Sequence, residues 1–153
     1  MNIIKSIRYA TISDLEQVAE LFNLYRCFYK QDDDIEVAKN FITERLQQNN
    51  SVIIVAETID GKLAGFVQMY PLFCSIAVKN AWILNDLFIH PDFRKFGIAT
   101  QLIEKSLEIG KNSGAAWVSL QTAIDNYNAQ KLYEKIGFIK DNHYLTYMFD
   151  CLN

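Results

Sequence analysis

The sequence predicts a single α/β domain in which one mixed, mostly antiparallel sheet is flanked by about four helices. The chain has 153 residues, enough for one domain with its own core. Half of the residues are hydrophobic and only 6 are glycine and 2 proline, which excludes a disordered or low-complexity chain. Apolar residues follow helix and strand periods in the order β-α-α-β-β-β-α-β-α-β, without a linker or repeat. We therefore expect one domain over residues 1–153.

The first third of the chain predicts one strand followed by two helices. Ile3 to Ala10 is rich in β-forming side chains. Ser13 to Glu16 matches a capping box, and apolar residues then recur at helical spacing up to Tyr29. The Asp32 to Asp34 run breaks that pattern and can cap a second helix, whose dipole favours negative charge at its start. A cation-attracting role for these aspartates is the alternative.

The middle of the chain predicts a β-hairpin. Ser51 to Thr58 is densely apolar, Asp60-Gly61 is a turn dipeptide, and Lys62 to Tyr70 returns as the antiparallel partner. We expect Pro71 to interrupt or end the returning strand, because proline has no N–H for the hydrogen-bond ladder.

Three strands and two helices complete the predicted order. In alternation they are Ala81 to Ile89, Gly97 to Gly110, Ala115 to Leu120, Asn126 to Lys135 and Tyr144 to Phe149.

Composition narrows the class of protein. The formal net charge is -3, so we expect no basic footprint for nucleic acid. Cys27, Cys74 and Cys151 lie far apart without a C-x-x-C pair, which favours reduced thiols over a disulfide framework or a zinc site. His90 and His143 have no third ligand nearby in sequence, so no metal is expected. The first ten residues lack a signal-peptide pattern and no apolar run could span a bilayer, which predicts a cytoplasmic protein without a membrane partner.

The most informative stretch runs from Leu84 to Thr100. A buried strand leads there through a turn into a helix that begins with the pattern Arg-x-x-Gly-x-Ala. Helix starts expose unpaired N–H groups, and the small residues Gly97 and Ala99 let a phosphate approach the backbone. Arg94 and Lys95 add positive charge. The stretch predicts a pyrophosphate site; an ordinary helix-entry glycine is the alternative for Gly97 taken alone.

A second stretch, Asn126 to Phe138, has the pattern Asn-x-x-Ala-x-x-x-Tyr-x-x-x-Gly-Phe. Ala129 and Tyr133 share one face of the predicted helix, and Gly137 is a good C-terminal stop. Periodicity alone leaves two roles for Tyr133, a core tyrosine and a catalytic phenol.

In this order and spacing, the two stretches resemble the GNAT (Gcn5-related N-acetyltransferase) superfamily, over nearly the whole chain. The segment Leu84-Asn-Asp-Leu-Phe-Ile-His-Pro is most similar to the branch of spermidine/spermine and related small-amine acetyltransferases. The resemblance implies a single-domain GNAT fold. In that fold two parallel strands, here Trp82 to Ile89 and Ala115 to Thr122, splay apart around acetyl-CoA.

The resemblance also implies which residues bind acetyl-CoA. Backbone groups of the first splayed strand would pair with the pantetheine arm and polarise the thioester carbonyl, while the helix start would hold the pyrophosphate. The implied residues are Leu87, Phe88, Ile89, Arg94, Lys95, Phe96, Gly97, Ile98, Ala99, Thr100, Asn126 and Ala129. Lys95 replaces a glycine common in the family, but its backbone N–H remains available. Tyr133 would protonate the leaving thiolate.

The proton acceptor departs from the family pattern. The small-amine branch often has a glutamate where this chain has Asn85, and an amide cannot take up a proton. Asp86 follows directly, but adjacent strand residues face opposite ways unless a bulge turns one of them. The alternative is a water that carries the proton to Asp86 or to another group. We predict Tyr133 as the acid and Asp86 as the candidate base.

The acceptor amine is expected to bind against the first two helices. The predicted substrate-binding residues are Tyr25, Arg26, Tyr29 and Asn85, with help from Phe28 and Tyr70. Aromatic rings can enclose a hydrocarbon chain or hold a cation. Arg26 is either a clamp for an acceptor carboxylate or a surface arginine with a buried stem. The Asp32 to Asp34 run argues instead for a polyamine.

The sequence therefore predicts an N-acetyltransferase that moves acetyl from acetyl-CoA to a primary amine of a small molecule by direct attack. The alternatives are a peptide or protein acetyltransferase and a regulatory domain that binds acyl-CoA without turnover. The aromatic, apolar segment Tyr144 to Phe149 favours a homodimer, because an exposed strand of that kind would pair with a second copy.

Overall fold

The computed structural model describes residues 2–153, which form two compact units, one ending at Gln121 and the other beginning at Thr122. The elements of the first unit are β1 (Ile4–Tyr9), α1 (Leu15–Phe28), α2 (Ile35–Gln48), β2 (Val52–Thr58), β3 (Leu63–Cys74), β4 (Lys79–Ile89), α3 (Ile98–Asn112) and β5 (Val118–Ser119). One-turn 3-10 helices precede α1 and follow β4. The second unit contains α4 (Tyr127–Ile136).

The sheet has the order β1-β2-β3-β4-β5. The first three pairs are antiparallel and the β4–β5 pair is parallel. This confirms the predicted mixed, mostly antiparallel sheet with four helices. The parallel pair is short, because only Trp82 and Ile83 have partners on β5. Beyond Ile83, β4 continues to Ile89, and no strand among residues 2–153 pairs with it on that side, which is the splay that the family resemblance implies.

Helices cover both faces of the sheet. One core cluster joins Val18, Leu21 and Phe22 of α1 and Ala38 and Ile42 of α2 to the sheet residues Ile53, Val55, Leu63, Phe66 and Phe88. Alternate residues of β2 point to the other face, and they are also fully buried. That face is packed by α3, whose contacts reach four strands of the sheet. A strand buried on both sides explains why β2 is apolar from Val52 to Ala56.

The start of α1 differs from the predicted capping box by two residues. The box forms on Thr11, not on Ser13: the Asp14 carboxylate accepts the Thr11 backbone N–H at 2.7 Å. Asp14 also receives both terminal nitrogens of Arg8, at 2.8 and 3.0 Å. Arg8 of β1 thus binds Asp14, which lies two residues before the predicted box acid, Glu16. Asp34 caps α2 as expected, by accepting the N–H of Val37.

The prediction that Pro71 interrupts or ends its strand is wrong, because β3 continues to Cys74. Pro71 lies opposite Trp82, whose N–H donates to Trp117 on the β5 side. Pro71 and Trp82 therefore form a non-hydrogen-bonded pair, in which no N–H donates between β3 and β4. On the other side of β3, pairing with β2 ends at Met69, so no strand needs a donor from Pro71.

The predicted last strand, Tyr144 to Phe149, is also wrong. Residues 139–150 contain neither helix nor strand. Aromatic and apolar side chains give this segment strand propensity, but a strand forms only where a neighbour completes its hydrogen bonds. The strand predicted over Ala115 to Leu120 shortens for the same reason to the two residues that pair with β4.

Candidate active site

A β-bulge in β4 places the candidate base. The ladder pairs Gln68 with Asp86 and Met69 with Leu84, so Asn85 is an extra residue without a partner on β3. An extra residue changes the alternation of side chains along a strand. As a result Asp86 is buried, with 3% of its surface exposed, whereas Asn85 is exposed. The bulge invoked for Asp86 from sequence is thus present.

Neutral donors surround the Asp86 carboxylate. The Nε2 of Gln68 donates to its Oδ2 at 2.6 Å, and the Nδ2 of Asn85 donates to its Oδ1 at 2.9 Å. Burial raises the pKa of Asp86, while these two hydrogen bonds and the nearby Tyr25 hydroxyl act in the opposite direction. No salt bridge reaches it within residues 2–153. A carboxylate in this setting takes up a proton more readily than one in water.

Aromatic side chains from α1 lie against the bulge. The Tyr25 hydroxyl donates to the Asn85 carbonyl at 3.3 Å, and its ring packs edge-on against Tyr29, Phe66 and Phe88. Burial, followed by the charge of Asp86, raises the pKa of Tyr25. The same two causes raise the pKa of Tyr70 to about 12. Two predicted acceptor-site residues, Tyr25 and Asn85, therefore lie beside Asp86, and a third, Tyr29, contacts the ring of Tyr25.

Arg26 lies next to this group on α1 and is half-buried. Its side chain forms no hydrogen bond or ion pair with any residue in the described range 2–153. Phe28, its exposed neighbour, contacts the ring of Tyr29 edge-on. The guanidinium of Arg26 is thus available to a ligand.

The unpaired edge of β4 presents two of the three predicted backbone contacts. Ala64 and His90 are hydrogen-bonded partners, so by alternation Phe88 and Asp86 also turn their backbone groups towards β3. Leu87 and Ile89 turn theirs to the splayed side. The backbone groups of Phe88 therefore bond to β3. The Ile89 carbonyl accepts a hydrogen bond from the Nε of Arg94 at 3.1 Å. The N–H and C=O of Leu87 and the N–H of Ile89 are left for a ligand.

The loop before α3 has the backbone of a phosphate-binding turn. Gly97 is the N-cap of α3 with φ of 75°, and Lys95 has φ of 69°. Lys95 thus adopts the left-handed conformation that suits the glycine common in the family. No side chain caps α3, and its first turn contains no acidic residue. A Cβ built on Gly97 meets no atom within 4 Å. These features fit an anionic group such as a pyrophosphate.

The remaining predicted residues lie on α4 of the second unit. Asn126 caps this helix: its side-chain oxygen accepts the N–H of Ala129 at 3.2 Å. The Asn126 amide nitrogen is the donor left for a ligand. Tyr133 is half-buried and packs edge-on against Phe138, with ring centroids 5.9 Å apart. Gly137 ends the helix with φ of 123°, as its position in the motif predicts.

Sequence analysis missed Gln68, which is fully buried and binds Asp86. Its signal was present, since Gln68 is the one amide in the apolar strand predicted over Lys62 to Tyr70. Across residues 2–153, no group of three or more His, Cys, Asp or Glu side chains could hold a metal ion. None of the helices in that range has the length and apolar character needed to cross a membrane.

Comparisons with known proteins agree with this geometry. The model of the acetyltransferase (GNAT) family matches residues 17–138. A Bacillus subtilis (strain 168) protein named "Uncharacterized N-acetyltransferase YhfO" is 40% identical over 148 residues, which cover 97% of each chain. A crystal structure of "a probable acetyltransferase" has a TM-score of 0.90 and 34% identity, covering 95% of this chain and 97% of the other.

A more distant structure shares the fold. The ribosomal-protein-alanine N-acetyltransferase from Brucella melitensis biovar Abortus 2308 has a TM-score of 0.80 at 23% identity, covering 95% of this chain and 98% of that one. The family match over residues 17–138, the 40% identity to a relative named as an N-acetyltransferase and the splayed sheet lead to one conclusion. The chain belongs to the GNAT family and is an acetyl-CoA-dependent N-acetyltransferase.

Proposed function

We propose that the enzyme acetylates the primary amine of a small molecule, either amino-acid-like or a polyamine, by direct attack of the amine on the thioester. The observation that carries this proposal is the buried carboxylate of Asp86 at the β4 bulge, beside the hydroxyl of Tyr25 and near that of Tyr70. A carboxylate among aromatic rings suits an amine, which is a cation before it reacts. The resemblance to the spermidine/spermine branch supports the same class of acceptor.

The donor acetyl-CoA supplies the acetyl group as a thioester. We propose that the backbone of Leu87 and Ile89 pairs with its pantetheine arm and that one of these amides polarises the thioester carbonyl. The pyrophosphate would meet the uncapped start of α3, where Arg94 and Lys95 add positive charge. The small residues Gly97 and Ala99 leave the backbone accessible there. Asn126 and Ala129 are the proposed contacts from α4.

Two residues are proposed to move protons. Asp86, directly or through a water, takes a proton from the amine; a carboxyl whose pKa is raised by burial is closer to the neutral pH at which a base works best. A Lys-type amine, with an ordinary pKa near 10.4, needs this help more than an α-amine near 7.7–8.0. Tyr133 then gives its hydroxyl proton to the leaving thiolate, as the family resemblance implies.

A peptide or protein acceptor is the second candidate. The name of one structural relative states that it acts on an alanine of a ribosomal protein. The guanidinium of the half-buried Arg26 could bind the carboxylate of a free amino acid but has no such group to bind on a protein N-terminus. This feature favours the small molecule.

The test is the release of CoA from acetyl-CoA with a panel of free amino acids, polyamines and short peptides. We expect turnover with a free amine. For Arg26→Ala, loss of turnover with amino-acid-like amines, with polyamine turnover unchanged or improved, would establish the carboxylate clamp. Lys111→Ala, which removes a charge at the far end of α3, is the control for net charge. Turnover of peptides alone would make the second candidate correct, and unchanged kinetics in Arg26→Ala would make Arg26 a surface residue.

We also propose a cytoplasmic location, supported by the three free cysteines.

A further inference from the structure

A chain of three side chains runs from the start of β2 through β3 to β4. The hydroxyl of Ser51 donates to the Oε1 of Gln68 at 2.8 Å. The Nε2 of Gln68 donates to the Oδ2 of Asp86 at 2.6 Å. Gln68 and Asp86 are direct cross-strand partners in the β3–β4 register, so the backbone itself holds them side by side.

The environment leaves the Gln68 amide little freedom. Gln68 is fully buried, and a buried amide must satisfy both its donor and its acceptor. With the Asp86 carboxylate charged, only the Nε2 end can face it, because the Oε1 end would oppose it with a second acceptor. The Ser51 hydroxyl then satisfies Oε1. Both ends of the amide are thus occupied when Asp86 is ionised.

We propose that Gln68, anchored by Ser51, is the positioning residue that holds the Asp86 carboxylate in one orientation and favours its charged form. The inference rests on the proposed role of Asp86 as the base. Gln68 does not itself touch a reacting atom; it acts through Asp86. The Asn85 donor on the other carboxylate oxygen comes from an exposed side chain that water can replace, whereas the buried Gln68 donor has no such substitute.

Few other groups face Asp86. The titratable ones are the hydroxyls of Tyr25 from α1 and Tyr70 from β3, and Arg45 of α2 acts on Tyr70. No charged side chain of α3 or β5 is among the groups that shift the pKa of Asp86 within residues 2–153. Both tyrosines stay neutral at physiological pH, since their pKa values are raised. A titration between acid and neutral pH therefore reports on Asp86.

The experiment is an infrared pH titration of the free enzyme, in which the protonated carboxyl of Asp86 is identified by its loss in Asp86→Asn. Gln68→Met keeps the volume of the side chain but removes the donor. We expect its titration midpoint to rise by about 1–2 pH units, the size expected for a hydrogen bond to a charged group. Gln68→Glu, which puts a like charge beside Asp86 in nearly the same shape, should raise the midpoint at least as far. Ser106→Ala, which removes a buried hydroxyl bonded to Leu102 on α3, should leave it unchanged.

An unchanged midpoint in both Gln68 variants overturns the positioning role. The acid limb of the pH profile of kcat/KM tests separately whether Asp86 is the base. In Gln68→Met this limb should shift together with the infrared titration midpoint of Asp86. If the midpoint rises and the acid limb stays in place, Gln68 positions a carboxylate that is not the base, so the inference about Gln68 stands while the proposed role of Asp86 fails.

Discussion

Asp86 shows how the surroundings of a single residue can keep the pKa of a carboxyl group raised. Removing a carboxylate from water is costly, and here no cation offsets the cost within residues 2–153. Two amides and a phenol partly compensate it instead. Because neutral donors stabilise charge less than an arginine would, the pKa of Asp86 remains raised. Arg8 and Asp14 show the opposite case in the same fold.

Tyr133→Phe tests the proposed acid. The substitution removes one hydroxyl and keeps the ring that packs on Phe138, so the fold should be retained. Loss of general acid catalysis typically lowers the rate about 10²–10⁴-fold. We expect a loss of that order in kcat, measured by CoA release under conditions in which chemistry limits turnover.

Tyr127→Phe on the same helix is the matched control, because Tyr127 is exposed and begins α4. It should keep the wild-type kcat. Equal rates for wild type and Tyr133→Phe would make Tyr133 a packing residue of α4.

The start of α3 is the element that should bind the pyrophosphate, and Gly97→Glu tests it. The variant puts a negative side chain at an uncapped helix start where an anion is expected to bind. We expect the Kd for CoA, measured by calorimetry, to rise at least about tenfold, a change of ~1.4 kcal/mol.

Gly114→Glu separates this effect from backbone strain. Gly114 has φ of 70°, close to the 75° of Gly97, and neither position has an atom within 4 Å of a built Cβ. Gly114 follows the opposite end of α3. The Gly114→Glu variant therefore introduces the same backbone strain and the same charge at a distance from the proposed site. Wild-type affinity in Gly97→Glu would place the pyrophosphate elsewhere.

The salt bridge between Arg8 and Asp14 joins β1 to the turn before α1, and its contribution to the free energy of unfolding should depend on pH. The Arg8 guanidinium holds the pKa of Asp14 below its ordinary value of 3.8. A lowered pKa contributes stability that is present above 3.8 and is lost as the pH falls through the folded-state pKa. We expect Asp14→Asn to lower the free energy of unfolding at pH 7 by about 1–3 kcal/mol.

Urea denaturation at several pH values measures this difference, which should shrink below pH 3.8. Asp32→Asn, at an exposed aspartate, is the control and should match wild type throughout. A loss in Asp14→Asn that persists unchanged in acid would mean that packing, and not charge, accounts for the effect.

The elements that could be predicted from sequence are those whose cause is local. Alternation, helical spacing and the Asp34 cap located β1 to β4 and all four helices to within a few residues. The failures depend on partners distant in sequence. Pro71 stays in β3 because the pairing of β3 with β2 stops at Met69. Tyr144 to Phe149 has strand propensity but pairs with no neighbouring strand among residues 2–153. The box on Thr11 is local, but Arg8, which binds its Asp14, is also bound by Glu57 of the distant strand β2.

The site followed the same rule. The uncapped α3 start and the α4 cap lie within single motifs, so both could be predicted. The contact of Tyr25 with the bulge, and the role of Gln68, arise from pairing between elements. From the sequence, the bulge could be stated only as a requirement for Asp86 to face inward, because the partner strand sets the register.

For the whole molecule, the family match runs through the boundary at Gln121, and we propose that residues 1–153 act as one domain. The homodimer predicted from the closing segment also remains a proposal. Tyr144, Leu145, Tyr147, Met148 and Phe149 are each at least 80% exposed, which is unusual for a contiguous apolar segment. We expect sedimentation at micromolar protein to give twice the 17.7 kDa chain mass.

A variant with Tyr147→Ser and Phe149→Ser should weaken that association. Ile59→Ser, at an exposed apolar residue of the β2–β3 turn, is the control and should not. A single 17.7 kDa species for the wild-type protein would remove the dimer.

The extra residue in β4 also constrains how this enzyme can diverge. Asp86 pairs with Gln68 and Leu84 with Met69, which are consecutive on β3, so Asn85 could be lost without changing the partner of any other residue. Its loss would, however, remove its donor to the Asp86 carboxylate. An insertion or deletion elsewhere in β4 would shift the register and exchange buried for exposed side chains. Changes in the length of this strand are therefore disfavoured. We expect lineages that change their amine to do so by point substitutions on α1, such as at Arg26 and Tyr29, while the length of β4 is inherited intact.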